Sequence, residues 1–516
     1  MRFGMRRFAQ IAAFILAIAV MVGLTILINQ NPGSHPWVNI VGEVLGVLVS
    51  LYALFTAIVV FFENRNPNKT VSWLLVLLLL PVVGFVLYVL FGQNFRKKRL
   101  FRKRKPSIPQ VEGALGVQKR ILEFIEIFED DGSPVNKRLI NLLLNNSDSP
   151  FYINNSLRIL TNGDETYQAM FDAISEAFHH IHLEMFIIRD DEVGNRLKAL
   201  LIRKAQEGIH VRVVYDSVGC WKLSNRYIQE LRNAGVQIHP FFPVIFPIVR
   251  RELNYRNHRK ILVVDGQAGF VGGLNIGDEY LGKNPRLGFW RDTHMLIEGE
   301  SVYSLQAIFQ ADWEFSGGEP FSGNDYFPVM GRKDNRIVQI AASGPDSDWE
   351  SILQGYFTLI AMAEKRIWIA TPYLVPEESL LMGMKTAALS GVDVRILIPS
   401  KPDHFFVFWA SRDHIENLLE AGVRIYTYQK GFIHSKILMV DGIGASIGTA
   451  NLDIRSMEIN FEVNAFVYDS DVVERLECDF KKDLSDSLEI KLEEYRKRGY
   501  KERFLESLGR LVSPLQ

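Results

Sequence analysis

One arrangement of segments occurs twice in this sequence in the same order, and a duplicated chain is constrained to fold into two related units. "GIHVRVVYD" (208–216) matches "GVDVRILIP" (391–399), and "LRNAGVQI" (231–238) matches "LLEAGVRI" (418–425). Ahead of these, "HIHLEMFII" (180–188) matches "RIWIATPYL" (366–374); behind them, "FWRDTHMLI" (289–297) faces "NFEVNAFVY" (460–468). Within each copy, short β-branched runs alternate with amphipathic stretches such as "DEVGNRLKALLIRKAQEG" and "EESLLMGMKTAALSG". That alternation is the pattern of helices packed on a buried sheet. We therefore expect an α/β fold of two half-domains, 151–330 and 331–516, related by a pseudo-twofold axis. Each should hold a mixed, mostly parallel sheet flanked by helices.

A fifth pair of matching segments carries the chemistry: "HRKILVVD" followed by "GGLN", and "HSKILMVD" followed by "GTAN". Both read His-x-Lys-x4-Asp-x6-Gly-x2-Asn, with His258, Lys260, Asp265, Gly272 and Asn275 in one copy and His434, Lys436, Asp441, Gly448 and Asn451 in the other. At ordinary residue usage such a pattern arises on the order of once per million positions. Two copies in register are therefore not coincidence. In a strand, residues i and i+2 share a face, so each His is expected to project beside its Lys, and the pseudo-twofold can bring both pairs to one cleft. Two imidazoles, two ammonium groups and the amides of Asn275 and Asn451 suit a singly charged phosphoryl group, whose non-bridging oxygens gain charge in the transition state. One imidazole can attack phosphorus while the other protonates the leaving alcohol, with no metal and no other cofactor required. Each imidazole then needs an acceptor for its far nitrogen. Asp292 in "WRDTH" and Glu462 in "NFEVN" are the candidates. Asp265 and Asp441 complete the motif and are counted with its His and Lys among the catalytic candidates, although their place at the strand's end suits a structural role better.

Residues 1–105 are of another kind. Three apolar segments, 8–28, 38–62 and 71–91, each exceed the roughly 18 residues that mark a membrane-helix candidate. Eight of the ten residues in "RKKRLFRKRK" (96–105) are Lys or Arg, a cluster expected to stay cytoplasmic and to favour anionic lipid. Arg2, Arg6 and Arg7 make the same demand at the other end, so one segment should fail to cross; Pro81 and Gly84 make the third a candidate re-entrant hairpin. The expectation is a multi-pass anchor with the remainder of the chain on the cytoplasmic side of a cell membrane. Residues 106–150 read as a helical linker. The first half also carries an insertion: 23 residues separate Gly235 from His258, against 12 from Gly422 to His434. Its "FFPVIFPIVRR" (241–251) reads either as a loop packed in the core or as one that touches lipid, and the apolar segments favour the second.

The pattern "HRKILVVD…GGLN" with "HSKILMVD…GTAN" resembles the phospholipase D superfamily and its paired HKD motifs. "NPNKTVSWLLVLLLLPVVGFVLYVLFG", "HIHLE", "GGLNIGDEY", "WRDTH" and "NLDIRSMEINFE" are similar to the bacterial cardiolipin synthases within it. The likeness runs from about residue 63 to the carboxyl terminus. It implies a phosphohistidine intermediate, with His258 as nucleophile and His434 as acid and base; the duplicated sequence by itself is symmetric on that order. It also implies phosphatidylglycerol as substrate, one molecule passing its phosphatidyl group to the glycerol hydroxyl of another. Gly273 and Thr449 depart from the superfamily, much of which has Ser there.

Several classes are disfavoured. A net charge of −1, and no basic stripe interleaved with aromatics near the motifs, argue against a nucleic-acid partner. Cys220 and Cys478 form no CxxC, which argues against a zinc site or a disulfide framework, and both read as buried thiols. A hydrolytic phospholipase D and an inactive lipid-binding scaffold are the competing readings.

Overall fold

The structure is a computed structural model that describes residues 67–79, 108–121, 134–243 and 255–512, with the single positions 44, 54, 58 and 84. These divide into two compact units. The smaller holds the helix Pro67–Leu79, in which Trp73 and Leu74 pack around the buried Leu77. Most of the three apolar segments, the basic run at 96–105, the break expected at Pro81 and the loop residues 244–254 lie outside the described residues. Among the described residues, no helix is long and apolar enough to cross a membrane.

The larger unit contains both copies of the duplicated pattern. In the first copy a seven-stranded sheet runs Asn155–Thr161, Thr293–Gly299, Ala268–Gly272, Ile261–Val264, His180–Met185, His210–Asp216, Gln237–Phe241. In the second, the matching strands are Val338–Ser343, Glu462–Val467, Gly444–Gly448, Ile437–Val440, Arg366–Ala370, Asp393–Pro399 and Arg424–Tyr428, extended to nine by Phe151–Tyr152 at one edge and Ser487–Ile490 at the other. The same order recurs in both, as a duplication demands.

The expectation of mostly parallel sheets is corrected. In each sheet only the ladders among the three helix-connected strands are parallel: His180–Met185 with His210–Asp216 and the latter with Gln237–Phe241, and their counterparts in the second copy. The other ladders are antiparallel. The reason is connection length. Helices of 15 and nine residues join the parallel strands, whereas a turn of only a few residues separates Ile261–Val264 from Ala268–Gly272, and only a hairpin can close so quickly.

The two sheets bury their inner faces against each other. Ile261, Val263, Val271 and Met295 of one meet Ile437, Met439, Ile447 and Val463 of the other in a shared core. Helices cover the outer faces, in one core around Leu197, Leu201 and Val213 and another around Leu359, Met384 and Ile396. The stretch expected as a linker holds two helices, Pro109–Ile121 and Pro134–Asn146; Leu139, Ile140 and Leu143 of the second are fully buried in the core of the second half. Back-to-back sheets place the motif strand of each half at the centre of the larger unit.

Candidate active site

Each His-x-Lys lies just ahead of its motif strand, not inside it: the ladders begin at Ile261 and Ile437. The leading segments pair across the halves instead. Gly431–Ile433 runs parallel to Phe289–Arg291, Asn257 bridges Phe461, and the His434 and His258 amides donate to the carbonyls of Arg291 (2.7 Å) and Phe461 (2.9 Å). Every one of these partners sits immediately before a candidate orienting carboxylate, so the carboxylate each imidazole meets belongs to the opposite half. His258 Nδ1 is 2.9 Å from Glu462 Oε2, and His434 Nδ1 is 2.8 Å from Asp292 Oδ2.

Burial, opposed by Glu462, lowers the His258 imidazole to about 4; burial and Lys436, opposed by Asp292, lower His434 to about 4. The carboxylates go the other way. Burial would raise Glu462, but His258, Lys260 and the Thr449 hydroxyl outweigh it and hold it near 2; against the same burial, His434 and Lys436 keep Asp292 below its usual value. At neutral pH the carboxylates are thus ionised and the imidazoles neutral. A neutral ring bonded to a carboxylate through Nδ1 carries its proton there, leaving Nε2 with a lone pair. Aromatic rings flank both imidazoles: Phe186 edge-on to His258 at 4.8 Å and Trp290 tilted against His434 at 5.0 Å.

The lysines lie deeper than the sequence pattern suggests. Lys260 and Lys436 are buried, and each Nζ donates to the carbonyl of its own motif histidine, at 2.8 and 2.6 Å. Burial, reinforced by the other lysine, brings Lys260 down to about 7, and burial brings Lys436 to about 8. Asn275 accepts the Ile187 amide on Oδ1 (3.2 Å), which sets its NH2 as the donor end. A cavity of about 450 Å³ is lined by both histidines and both asparagines, with contributions from the two halves.

Asp265 and Asp441 stand apart from this cavity. Both adopt left-handed backbone (φ 53° and 55°) in the turn after the motif strand. Asp265 accepts the amides of Phe178, His179 and His180 at 2.8–3.0 Å, and Asp441 those of Glu364, Lys365 and Arg366 at 2.7–2.8 Å. Each clips its motif hairpin to the start of the neighbouring strand. Their inclusion among the catalytic candidates does not match this placement. Nor does the reading of both cysteines as buried: Cys220 is buried, and Cys478 is exposed.

Other residues around the site escaped the sequence reading. Arg259, between His258 and Lys260, forms a buried pair with Asp312 and donates to the Glu462 carbonyl at 3.2 Å; Asn257 donates to Glu184 at 2.5 Å; Asp216 accepts the Asn257 amide at 2.9 Å. Arg291 pairs with Asp483 at 2.8 Å beside Ser435. The available signal was a charged residue inside a run that otherwise reads as core, such as Glu184 in "HIHLEMF".

Two facing half-domains with one shared cavity define the class. The same fold occurs in the crystal structure of the phosphatidylserine synthase of Haemophilus influenzae Rd KW20, with a TM-score of 0.55 and 15% identity, over 74% of this chain and 100% of that one. Residues 170–313 and 356–484 match the family described as cardiolipin synthase, PLD-like domain, and residues 49–93 match the phospholipase D-nuclease N-terminal family. The chain is 50% identical over 473 residues to cardiolipin synthase 2 of Bacillus anthracis, 90% of each chain. It is 47% identical over 514 residues to the cardiolipin synthase of Geobacillus sp. (strain WCH70), 99% of this chain and 100% of that one. The chain belongs to the cardiolipin synthase family with paired phospholipase D-like domains.

Proposed function

We propose that the protein is a phosphatidyltransferase that makes cardiolipin and glycerol from two molecules of phosphatidylglycerol. The observation that carries this reading is the pair of neutral imidazoles on one cavity, each held at Nδ1 by a carboxylate of the other half. His258 Nε2 attacks phosphorus, the bond to the head-group glycerol breaks, and His434 gives that oxygen its proton. The anionic lipid phosphate favours one cationic ring beside it, so a single proton is taken up, held by His434 for this step while His258 stays neutral. The glycerol hydroxyl of a second lipid then returns a proton to His434 and displaces His258 from phosphorus. Lys260, Lys436, Asn275 and Asn451 stabilise the non-bridging oxygens. Glu462 and Asp292 fix the tautomer of each ring and stabilise its cation.

The order of the imidazoles rests on the resemblance to the phospholipase D superfamily. A lipid acceptor is supported by the family and by the apolar segments 8–28, 38–62 and 71–91, which we take as a multi-pass anchor that keeps the half-domains 151–330 and 331–516 at the cytoplasmic face. Exchange of one phosphodiester for another has little driving force, so the reaction runs both ways.

The test is to supply the purified protein with phosphatidylglycerol in micelles and follow the products. Cardiolipin with equimolar glycerol is expected. Phosphatidic acid without cardiolipin would replace the reading with hydrolysis, and no turnover would point to a lipid-binding scaffold.

A further inference from the structure

The parallel strands His210–Asp216 and Asp393–Pro399 occupy equivalent places in the two sheets, and the chain leaving each forms a crest beside the cavity. In the first half the crest presents Trp221, 73% exposed, with the ammonium of Lys222 5.5 Å from its ring. It joins the cavity through Gly219, whose backbone packs on Phe186 and accepts from Arg189; both of those side chains line the cavity. In the second half, Lys401 and His404 lead into the helix Phe405–Asp413, of which Phe405 is 55% exposed while Val407 lines the cavity.

The carboxyl-terminal helix Tyr500–Val512 packs on this second crest. Gly509 is in close contact with Ala410, and Arg510 reaches Asp413 at 3.8 Å. Its buried face carries Glu506, bonded to Tyr495 at 3.0 Å and to Arg498 at 2.8 Å. Its outer face carries Tyr500, Phe504 and Leu508, which are 92%, 68% and 38% exposed, with Lys501 and Arg503 exposed among them. Residues at i, i+4 and i+8 form one stripe along a helix. A stripe of that kind among basic residues suits a helix lying in the headgroup region of a bilayer, and Trp beside Lys suits the same depth.

We propose that these two crests are the surface that rests on a bilayer containing anionic lipid. Aromatic and aliphatic side chains enter the headgroup boundary, the basic residues meet lipid phosphates, and the cavity between the crests opens toward the plane from which its lipids come. The proposal rests on the lipid-substrate reading above and adds where the lipid approaches. Both crests follow equivalent strands, so the duplication itself places a lipid-facing edge on each side of the shared site.

The test uses the full chain with Cys478→Ser and a fluorophore placed at Trp221→Cys or Phe504→Cys, with vesicles of phosphatidylglycerol and phosphatidylcholine. Brominated acyl chains are expected to quench the fluorophore at both positions; quenching at neither, or at one alone, overturns the proposal. In parallel, Phe504→Asp/Leu508→Asp is compared with the unaltered protein on phosphatidylglycerol vesicles and on a short-chain, dispersed phosphatidylglycerol. The double variant should lose on the order of tenfold on vesicles and keep its rate on the dispersed lipid. Equal losses on both would mean a structural role and defeat the proposal. If the unaltered protein makes no cardiolipin from either lipid, the activity reading falls, while the quenching still decides the surface.

Discussion

Around His258 the orienting carboxylate is Glu462, and its second partner is the Thr449 hydroxyl, which donates to Oε2 at 2.5 Å while taking the Val463 amide at 3.0 Å. Around His434 it is Asp292, one methylene shorter, and the position equivalent to Thr449 is Gly273, where a Cβ would collide with the Asp292 carboxylate. The Trp290 indole N–H, 3.3 Å from Asp292 Oδ2, and the Thr293 amide, at 2.9 Å, supply the bonds that Thr449 supplies on the other side. Both solutions deliver an ionised carboxylate to an imidazole Nδ1. Long acid with hydroxyl and short acid with glycine are therefore paired choices. A duplicated site has kept its chemistry while its two supports diverged.

The strongest challenge to that comparison removes an imidazole. His258→Ala and His434→Ala should each lower cardiolipin formation by about 10⁴-fold or more, and the double variant should fall little further, because the two act as one unit. Additive losses would mean two separate sites.

Gly273→Ala probes the support itself. Its methyl displaces Asp292, and we expect the rate to fall by about 10²-fold with the fold retained by circular dichroism. Thr449→Ala should cost only about three- to tenfold, since Glu462 keeps its bonds to His258 and to Asn460. A reversal of that order would show that the hydroxyl, not the space for the carboxylate, is the critical element.

The pH response separates the lysines from the histidines. Lys260 near 7 and Lys436 near 8 lose their charge as pH rises through those values, so kcat/KM should decline above about pH 7–8, and Lys260→Arg should move that decline to higher pH. On the acid side the imidazoles sit near 4 in the folded protein, against about 6.5 unfolded. Between those values the unfolded chain binds more protons, so thermal stability should fall as pH drops from about 6.5 to 4. Melting curves of His258→Gln should show a weaker decline.

The smallest effect on catalysis belongs to Asp265→Ala. Losing an acceptor for three amides should cost about 2–3 kcal/mol in unfolding free energy and leave kcat within about twofold. A large kcat loss at unchanged stability would return Asp265 to the chemistry.

The duplication, the α/β class, the twin motifs and the candidate carboxylates were legible because each leaves a local signature: a repeated string, a period, or a charged residue next to a strand. Three features were not. The exchange of Glu462 and Asp292 between halves depends on which leading segment pairs with which, and the backbone bonds of His258 to Phe461 and His434 to Arg291 connect residues far apart in the chain. The antiparallel character of most ladders depends on turn length, which the matched strings around residues 265 and 441 contain but which the more conspicuous helices conceal. Arg259 with Asp312, and Asn257 with Glu184, were missed for a related reason: a charge inside a hydrophobic run reveals that it needs a partner, not where the partner lies.

The central claim is that two imidazoles from two halves work as one site, with His258 forming the bond to phosphorus. Rapid quench of His434→Ala with phosphatidylglycerol labelled in its phosphate, followed by peptide mapping under alkaline conditions that preserve phosphohistidine, tests it directly. The account predicts label on the peptide containing His258 and none when His258→Ala is treated alike. Label on the peptide containing His434 in the His258→Ala protein, with none at 258 in the other variant, would contradict it.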